Sequence, residues 1–349
     1  MLILGIESSC DETAVAIVKD GREVLANIIL SQADIHAKYG GVVPEIASRA
    51  HTEAIYSLCE EAIRQLPPSL RDTPLKEGGI DAVAATYAPG LIGALLVGLN
   101  FGKALAYKLN VPFIPVNHIK GHVAAAYLED AAGASSRPAP PFLAFIASGG
   151  HTSIMEVNNY TEFKLLGMTR DDAVGEAFDK TARAMGLDYP GGAEIEKYAK
   201  LGDKDSVKIP LAKVEGSELD FSFSGVKTHV INYINTLRQR NGGLTDTDKY
   251  NIAASFTENV IKSITSRIER AIKITGLKTL VCAGGVMANG HIKDALKNLC
   301  GDLKIELYVP DKKYCGDNAA MIAAQGFYEL KAGNTAGLSQ NAFASVEWC

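Results

Sequence analysis

Two histidines, His118 and His122, stand four residues apart in the stretch "VNHIKGHVAAAYLED". At i and i+4 two imidazoles share one helix face, a spacing that lets both bind one metal ion. Zinc proteases use that spacing with a Glu directly after the first His as general base. Ile119 stands there in this chain, and an alkyl side chain takes no proton from water, which argues against peptide hydrolysis. A metal reading needs a third ligand, and Asp317 in "YCGDNAAMIAAQG" is the best candidate. Asp at a helix start is also a good N-cap, so the sequence leaves both roles open. Two imidazoles and one carboxylate would keep coordination positions open for substrate oxygens on iron(II) or zinc.

Three turns carry further polar chemistry. In "SSCDE", Asp11 and Glu12 put adjacent carboxylates beside Cys10, as a base, a holder of metal-bound water, or a solvated hairpin turn. In "ASGGH", Ala147, Ser148, Gly149, Gly150 and His151 offer successive backbone N–H groups and a hydroxyl, parts that cradle phosphate or make a plain turn. In "GGVMAN", Asn289 could contact an adenosine or cap the helix that follows. Glu176, Asp179 and Lys180 fall near one face of a helix, where surface ion pairing is the commonest meaning. "LDFSFSGVKTHV" (219–230) alternates in a way that predicts a strand with Phe221 and Phe223 inward.

Strands and helices alternate around these residues. "LILGIE" (2–7), "TAVAIVK" (13–19) and "EVLANIIL" (23–30) read as strands, and a helix is expected over 44–66 with Pro44 in its first turn. "DAVAATYA" (81–88) reads as a buried strand. The apolar run 90–109 reads as a core helix rather than a span, since it holds two lysines, an Asn and several glycines. "PFIPVNH" (112–118) is the strand that delivers the His pair. After the small, proline-rich stretch 131–141 the opening pattern recurs, strand, polar turn, strand, at 141–157. A third turn, Gly284-Gly285, follows an apolar strand. The expected division is an N-terminal lobe 1–130, a linker 131–141, and a C-terminal lobe 142–349 with a helical insertion around 171–275.

Bulk properties narrow the class. With 349 residues, 47% apolar and 21% charged, the chain suits two globular domains. A net charge of −5 gives no overall nucleic-acid signal, although 197–213 contains five Lys against two Asp. Six cysteines without CxxC spacing argue against a zinc ribbon or a disulfide framework. The N-terminus lacks a basic run before its apolar residues, so no signal peptide, no membrane segment and a cytoplasmic location are expected.

"GIESSCDETAVAIV", "KYGGVVPEIASRAH", "NHIKGH", "ASGGHTSI", "GEAFDKTARAMGLDYPGG", "DFSFSGVKT", "AGGVMANGHI" and "GDNAAMIAAQG" occur in order between residues 5 and 326. As an ordered set they closely resemble the bacterial tRNA threonylcarbamoyladenosine transferases, a family once described as O-sialoglycoprotein endopeptidases. The resemblance implies an α/β, actin-like ATPase (ribonuclease H-like) fold, with two lobes around a nucleotide cleft. It implies transfer of a threonylcarbamoyl group from its AMP anhydride to N6 of the adenosine beside the anticodon, in tRNAs reading codons that begin with A. Carried onto matching positions, it makes His118, His122 and Asp317 the metal ligands and puts Asp11 and Glu12 at the reacting centre. It places Ala147 to His151, Asp179, Gly192, Glu196 and Asn289 on the nucleotide. Glu196 falls where some relatives carry Asp, and Ala193 where many carry Pro. The implied cofactors are one divalent metal, iron(II) ahead of zinc or magnesium, and ATP, ADP or threonylcarbamoyl-AMP. The implied partners are tRNA, a paralogous inactive subunit of the same fold, a small P-loop ATPase and an upstream adenylate-forming enzyme. A small-molecule kinase of this fold would give the His pair no task, and a non-catalytic scaffold would not need His118, His122 and Asp317.

Overall fold

The computed structural model describes residues 1–71, 79–129 and 137–346. It divides into two compact units, Met1–Pro140 with Asn158–Phe163 and Pro310–Cys349, and Pro141–Val157 with Lys164–Val309. Of the expected linker 131–141, positions 131–136 lie outside the described residues.

Unit 1 is built on the strands β1 (Leu2–Glu7), β2 (Glu12–Lys19), β3 (Glu23–Ser31), β4 (Ala82–Ala88) and β5 (Phe113–Asn117). Their order is β3-β2-β1-β4-β5, with β2 antiparallel and β4 parallel to β1. The helices are α1 (Ala33–Ala37), α2 (Pro44–Arg64), α3 (Pro68–Arg71), α4 (Ile92–Leu109) and α5 (His118–Ala124). Every residue of β1 is buried, because helices cover both of its faces. Leu2, Leu4 and Ile6 join a cluster with Ile55 and Cys59 of α2 and Leu95 and Leu99 of α4. Strand alternation sends Ile3, Gly5 and Glu7 to the opposite face. There α12 (Ala319–Lys331) lies so close that a Cβ on Gly5 would meet the Ala319 carbonyl at 2.4 Å.

That contact explains why the C-terminal segment leaves the lobe expected for it. The "AAMIAAQG" face of α12 packs on β1, β2 and β4, so Pro310–Cys349, including the short α11 (Lys312–Cys315), folds with unit 1. The apolar helix α4 meets the length and hydropathy of a membrane span, yet it buries Ala94, Leu95, Gly98, Leu99 and Ala106 against its own unit.

Unit 2 repeats the plan. Its strands are β6 (Phe142–Ala147), β7 (Thr152–Val157), β8 (Phe163–Met168), β9 (Thr279–Ala283) and β10 (Glu306–Tyr308), in the order β10-β9-β6-β7-β8. As in unit 1, the central strand pairs antiparallel with the strand that follows it and parallel with a later one. The helices are α6 (Val174–Met185), α7 (Gly191–Ala199), α8 (Ser224–Asn241), α9 (Asp246–Thr275) and α10 (Gly290–Leu303). The strand expected over 219–230 is not formed. Phe221 makes a single bridge to Thr169, and α8 begins at Ser224. Both rings are fully buried and stacked at 5.8 Å, so the apolar signal was core and the period misled. The helix starts there because Asp171, from another loop, accepts the backbone N–H groups of Phe223 and Ser224.

Candidate active site

In unit 1 the Asn117 side chain ends β5 and caps α5, accepting the N–H groups of Ile119 (2.9 Å) and Lys120 (3.4 Å). The cap starts the helix at His118 and leaves His122 one turn on. The two rings meet edge to face with centroids 4.6 Å apart. Ile119 points elsewhere and is core, 1% exposed. Asp317 completes the set, its Oδ1 lying 3.6 Å from His118 Nε2 and 3.3 Å from His122 Nε2. The cap of α12 is Asn318, which accepts Met321 N–H at 3.0 Å. Asp317 is thereby relieved of the capping role that its position allowed, and its carboxylate faces the imidazoles.

These residues fit a divalent metal. One ligand atom from each of His118, His122 and Asp317 lies within 4.8 Å of the others. Both ring nitrogens of His122 are buried without a hydrogen-bond partner, the approach of Asp317 lacking hydrogen-bond geometry. Leaving such a group unsatisfied costs about 1–3 kcal/mol, which a cation on Nε2 would offset. His118 is already oriented for the same task. Its Nδ1–H donates to Glu7 Oε2 at 3.0 Å, which turns Nε2 toward Asp317. Glu7, wholly buried, is in turn held by the Thr86 hydroxyl at 2.6 Å and by the Ser9 N–H. Sequence reasoning missed Glu7. The only signal was an acid ending an otherwise apolar strand.

Charge in this cluster is redistributed. Burial alone would lower the His118 pKa, but the Glu7 and Asp317 carboxylates outweigh it and raise the imidazolium to about 9. Burial is the largest single influence on Glu7 and raises its pKa. The charge and hydrogen bond of His118, with the Ser9 hydrogen bond, together outweigh it and hold Glu7 below its ordinary value. Glu12 is pushed up to about 9 by burial, then by the Asp317 and Asp11 charges. Ser31 donates to Glu12 Oε1 at 3.2 Å, and Asp11 and Glu12 share a hydrogen bond. The two carboxylates thus sit in the same unit as the His–His–Asp set and feel its field.

In unit 2 the other candidate residues form a closed circuit. Ser148 N–H donates to the His151 carbonyl (2.8 Å), and His151 N–H to Ser148 Oγ (3.2 Å), shaping the "SGGH" turn. Gly149 and Gly150 are exposed, and a Cβ on either would meet nothing within 4 Å. Internal packing does not require glycine there, whereas close approach of a ligand to the backbone would. On one side, a Cβ on Gly175 at the start of α6 would strike the Ser148 carbonyl at 2.6 Å. One turn along α6, Asp179 accepts Gly191 N–H at 2.8 Å, with Gly192 N–H as a second donor, and so anchors the start of α7. From α7, Glu196 accepts Gly290 N–H at 3.2 Å, beside Asn289. Asn289 caps α10 through Ile292 N–H (3.2 Å). The chain back from Asn289 reaches Gly284, whose φ of +96° and whose approach to the Ala147 carbonyl both exclude a side chain. Ala147, Ser148, Asp179, Gly192, Glu196 and Asn289 therefore border one patch of unit 2. Of the glycines that close the ring, Gly284 was marked from the sequence as a turn after an apolar strand, whereas Gly175 and Gly191 were not singled out.

Other sequence features resolve as structure. Lys180 pairs with Glu176 (2.6 Å) and with Asp172 (2.9 Å), the surface role expected of that spacing. Within 197–213, Lys197 pairs with Glu194, Lys200 with Glu196 and Lys204 with Glu258, so much of the local basic charge is neutralised. A cavity of about 690 Å³ between the 204–211 loop and α9 contains none of the candidate residues.

Two sheets of matching strand order, each opening with a hairpin whose turn carries polar groups, define an actin-like ATPase fold. Solved structures share it. Full-length HypF in its phosphate- and nucleotide-bound form superposes with a TM-score of 0.60 at 14% identity, over 95% of this chain and 46% of that one. Component A of the Acidaminococcus fermentans (R)-2-hydroxyglutaryl-CoA dehydratase gives 0.51 at 16% identity, over 95% and 99% of the two chains.

Residues 23–324 match the family model described as TsaD: tRNA N6-adenosine threonylcarbamoyltransferase. A protein of that name from Caldicellulosiruptor saccharolyticus is 48% identical over 98% of this chain and 97% of its own. Another, from Clostridium perfringens strain SM101, is 46% identical over 98% and 96%. The chain belongs to the tRNA N6-adenosine threonylcarbamoyltransferase family, and it is a transferase acting on tRNA.

Proposed function

We propose that the chain transfers threonylcarbamoyl from threonylcarbamoyl-AMP to N6 of the adenosine beside the anticodon, in tRNAs reading codons that begin with A. The observation that carries this is the His118–His122–Asp317 set, with both histidines buried and Asp317 half-buried, in a chain of this family. An aromatic amine is a poor nucleophile, since its lone pair is delocalised into the ring, so the acyl group must arrive on a good leaving group such as AMP.

His118, His122 and Asp317 would hold the divalent metal, iron(II) ahead of zinc or magnesium given two imidazoles and one carboxylate. When bound, it supplies Lewis acidity toward phosphate and carbonyl oxygens. Glu7 keeps the His118 Nδ1 proton in place so that Nε2 remains the ligand. The backbone N–H groups around Gly149 and Gly150 receive the phosphate, and charge developing on it as AMP departs is stabilised by those fixed dipoles. Asp179 and Glu196 hold the glycine-rich N-termini of α7 and α10 in the ring that borders the nucleotide. Asp11 accepts the proton lost by the amine, with Glu12 hydrogen-bonded beside it; general base catalysis of this kind contributes about 10²–10⁴-fold.

A net charge of −5 is small help in holding a polyanion. Partner subunits supply the missing cationic surface in this reading: a paralogous subunit of the same fold and a small P-loop ATPase, with a separate enzyme making the adenylate. The setting is the cytoplasm, where tRNA and ATP are at hand. The test is a reconstituted transfer of labelled threonine, with bicarbonate, ATP and partner subunits, to unmodified tRNA. Wild-type protein should label tRNA, and His118→Ala should lose about 100-fold or more. Equal labelling by both would remove the metal set from the mechanism.

A further inference from the structure

The motif "KYGGVVPEIASRAH" is absorbed by none of the roles above, yet it ends in a wholly buried histidine, His51. A second, His36, is as buried, and between them lies Gln32, 2% exposed. Four hydrogen bonds connect them in series. Val43 N–H meets His36 Nδ1 at 3.2 Å, and His36 Nε2 meets Gln32 Oε1 at 3.1 Å. Gln32 Nε2 meets His51 Nδ1 at 3.4 Å, and His51 Nε2 meets the Cys10 carbonyl at 3.0 Å.

The direction of this series is forced from both ends. A backbone N–H can only donate, so His36 Nδ1 accepts and its proton sits on Nε2, facing an oxygen of Gln32. A carbonyl can only accept, so His51 carries its proton on Nε2 and presents a bare Nδ1. That Nδ1 takes the Thr13 hydroxyl at 2.7 Å and, more weakly, the Gln32 amide N–H. The two ends demand the same orientation of one amide, and the Gln32 N–H contact with the Ala47 carbonyl agrees with it. Burial keeps the His51 pKa below its ordinary value, so the imidazole is neutral.

The end point is the turn that carries Asp11 and Glu12. His51 holds the Cys10 carbonyl, Gln32 N–H holds the Asp11 carbonyl at 3.0 Å, and Ser31 holds the Glu12 carboxylate. We propose that His51 is a positioning residue, which, through the one-way relay Val43–His36–Gln32–His51–Cys10, fixes the Asp11–Glu12 turn against the Gly40-Gly41 loop. This rests on the reading of Asp11 and Glu12 as the carboxylates at the reacting amine.

The test combines imidazole ¹⁵N NMR of the full chain with the reconstituted transfer assay. In the spectra both His36 and His51 should be neutral and protonated at Nε2. In the assay His51→Asn, which cannot place a donor at the Nε2 position, should lower kcat about tenfold or more, with KM for tRNA and metal content unchanged. His51→Gln, whose amide nitrogen can replace Nε2–H at the Cys10 carbonyl, should recover most of the rate. Gln32→Met, which keeps the Thr13 contact, should lose less than His51→Asn. Unchanged kcat in His51→Asn, or a proton on Nδ1 of either ring, overturns the relay. Full activity of Asp11→Asn and Glu12→Gln would instead remove the reading of the turn, and the positioning role with it, while leaving the predicted tautomers intact.

Discussion

Glu7 and His118 lie 111 positions apart, and their 3.0 Å contact sets how the metal site titrates. An imidazolium cannot ligate, so a cation must displace the His118 proton. With His118 raised to about 9 by Glu7 and Asp317 against burial, metal affinity should climb about tenfold per pH unit from pH 6 toward 9. The sign for the metal-free chain is opposite. A histidine whose folded pKa exceeds its unfolded value stabilises fully below about 6.5, and that contribution fades as pH rises through about 9. Melting of metal-free protein should therefore fall over that window. In Glu7→Gln the window should narrow, and affinity at pH 7.5 should drop about 10–100-fold in competition with a chelator. Unaltered affinity would make Glu7 a structural acid only. From the sequence the His pair and its metal option were legible, because i, i+4 spacing is local. Glu7 was not, since nothing near it names its partner.

At the scale of elements, β1 and α12 pack backbone against backbone in unit 1. Gly5→Ala would press a methyl to 2.4 Å from the Ala319 carbonyl and 2.7 Å from Ala323 N. Backbone cannot yield as a side-chain tip does, so a cost of about 3 kcal/mol is expected, seen as a lower urea midpoint with unchanged slope. Because α12 starts just after Asp317, the same variant should bind metal more weakly. Normal stability would show that the helix slides freely on the sheet. Most elements here were readable in advance: α2 with Pro44 in its first turn, β1 and β2 around a polar turn, α4 as an apolar helix. The failure at 219–230 has a plain cause. Alternating Phe and polar residues imitate a strand, but Asp171, 52 positions from Phe223, caps a helix there instead.

For the whole molecule, the return of Pro310–Cys349 to unit 1 makes a linear cut costly. A chain ending at Val309 would lose Asp317 and expose the faces of β1, β2 and β4 that α12 covers. Expressed alone it should be insoluble or lack a cooperative unfolding transition, whereas a division at the expected 131–141 linker would have forecast an intact first lobe. A folded, cooperative Met1–Val309 fragment would refute the account of α12 as part of that core.

Periodicity, turn chemistry and helix-start signals act within about ten residues, so strands, helices, the glycine turns and the His pair could be read directly from the chain. The ordered motifs added family and fold, and with them the expectation of a metal set and of nucleotide-side residues. Tertiary structure alone decided which of these side chains meet. It brought Asp317 to His118 and His122, put Glu7 behind His118, and closed Ser148, Asp179, Glu196 and Asn289 into one circuit through glycine contacts. It also ran two buried histidines in series to the Cys10 carbonyl. Each of these pairings depends on how helices pack on both faces of a sheet, a long-range choice made by burial and close contact, on which local sequence pattern is silent.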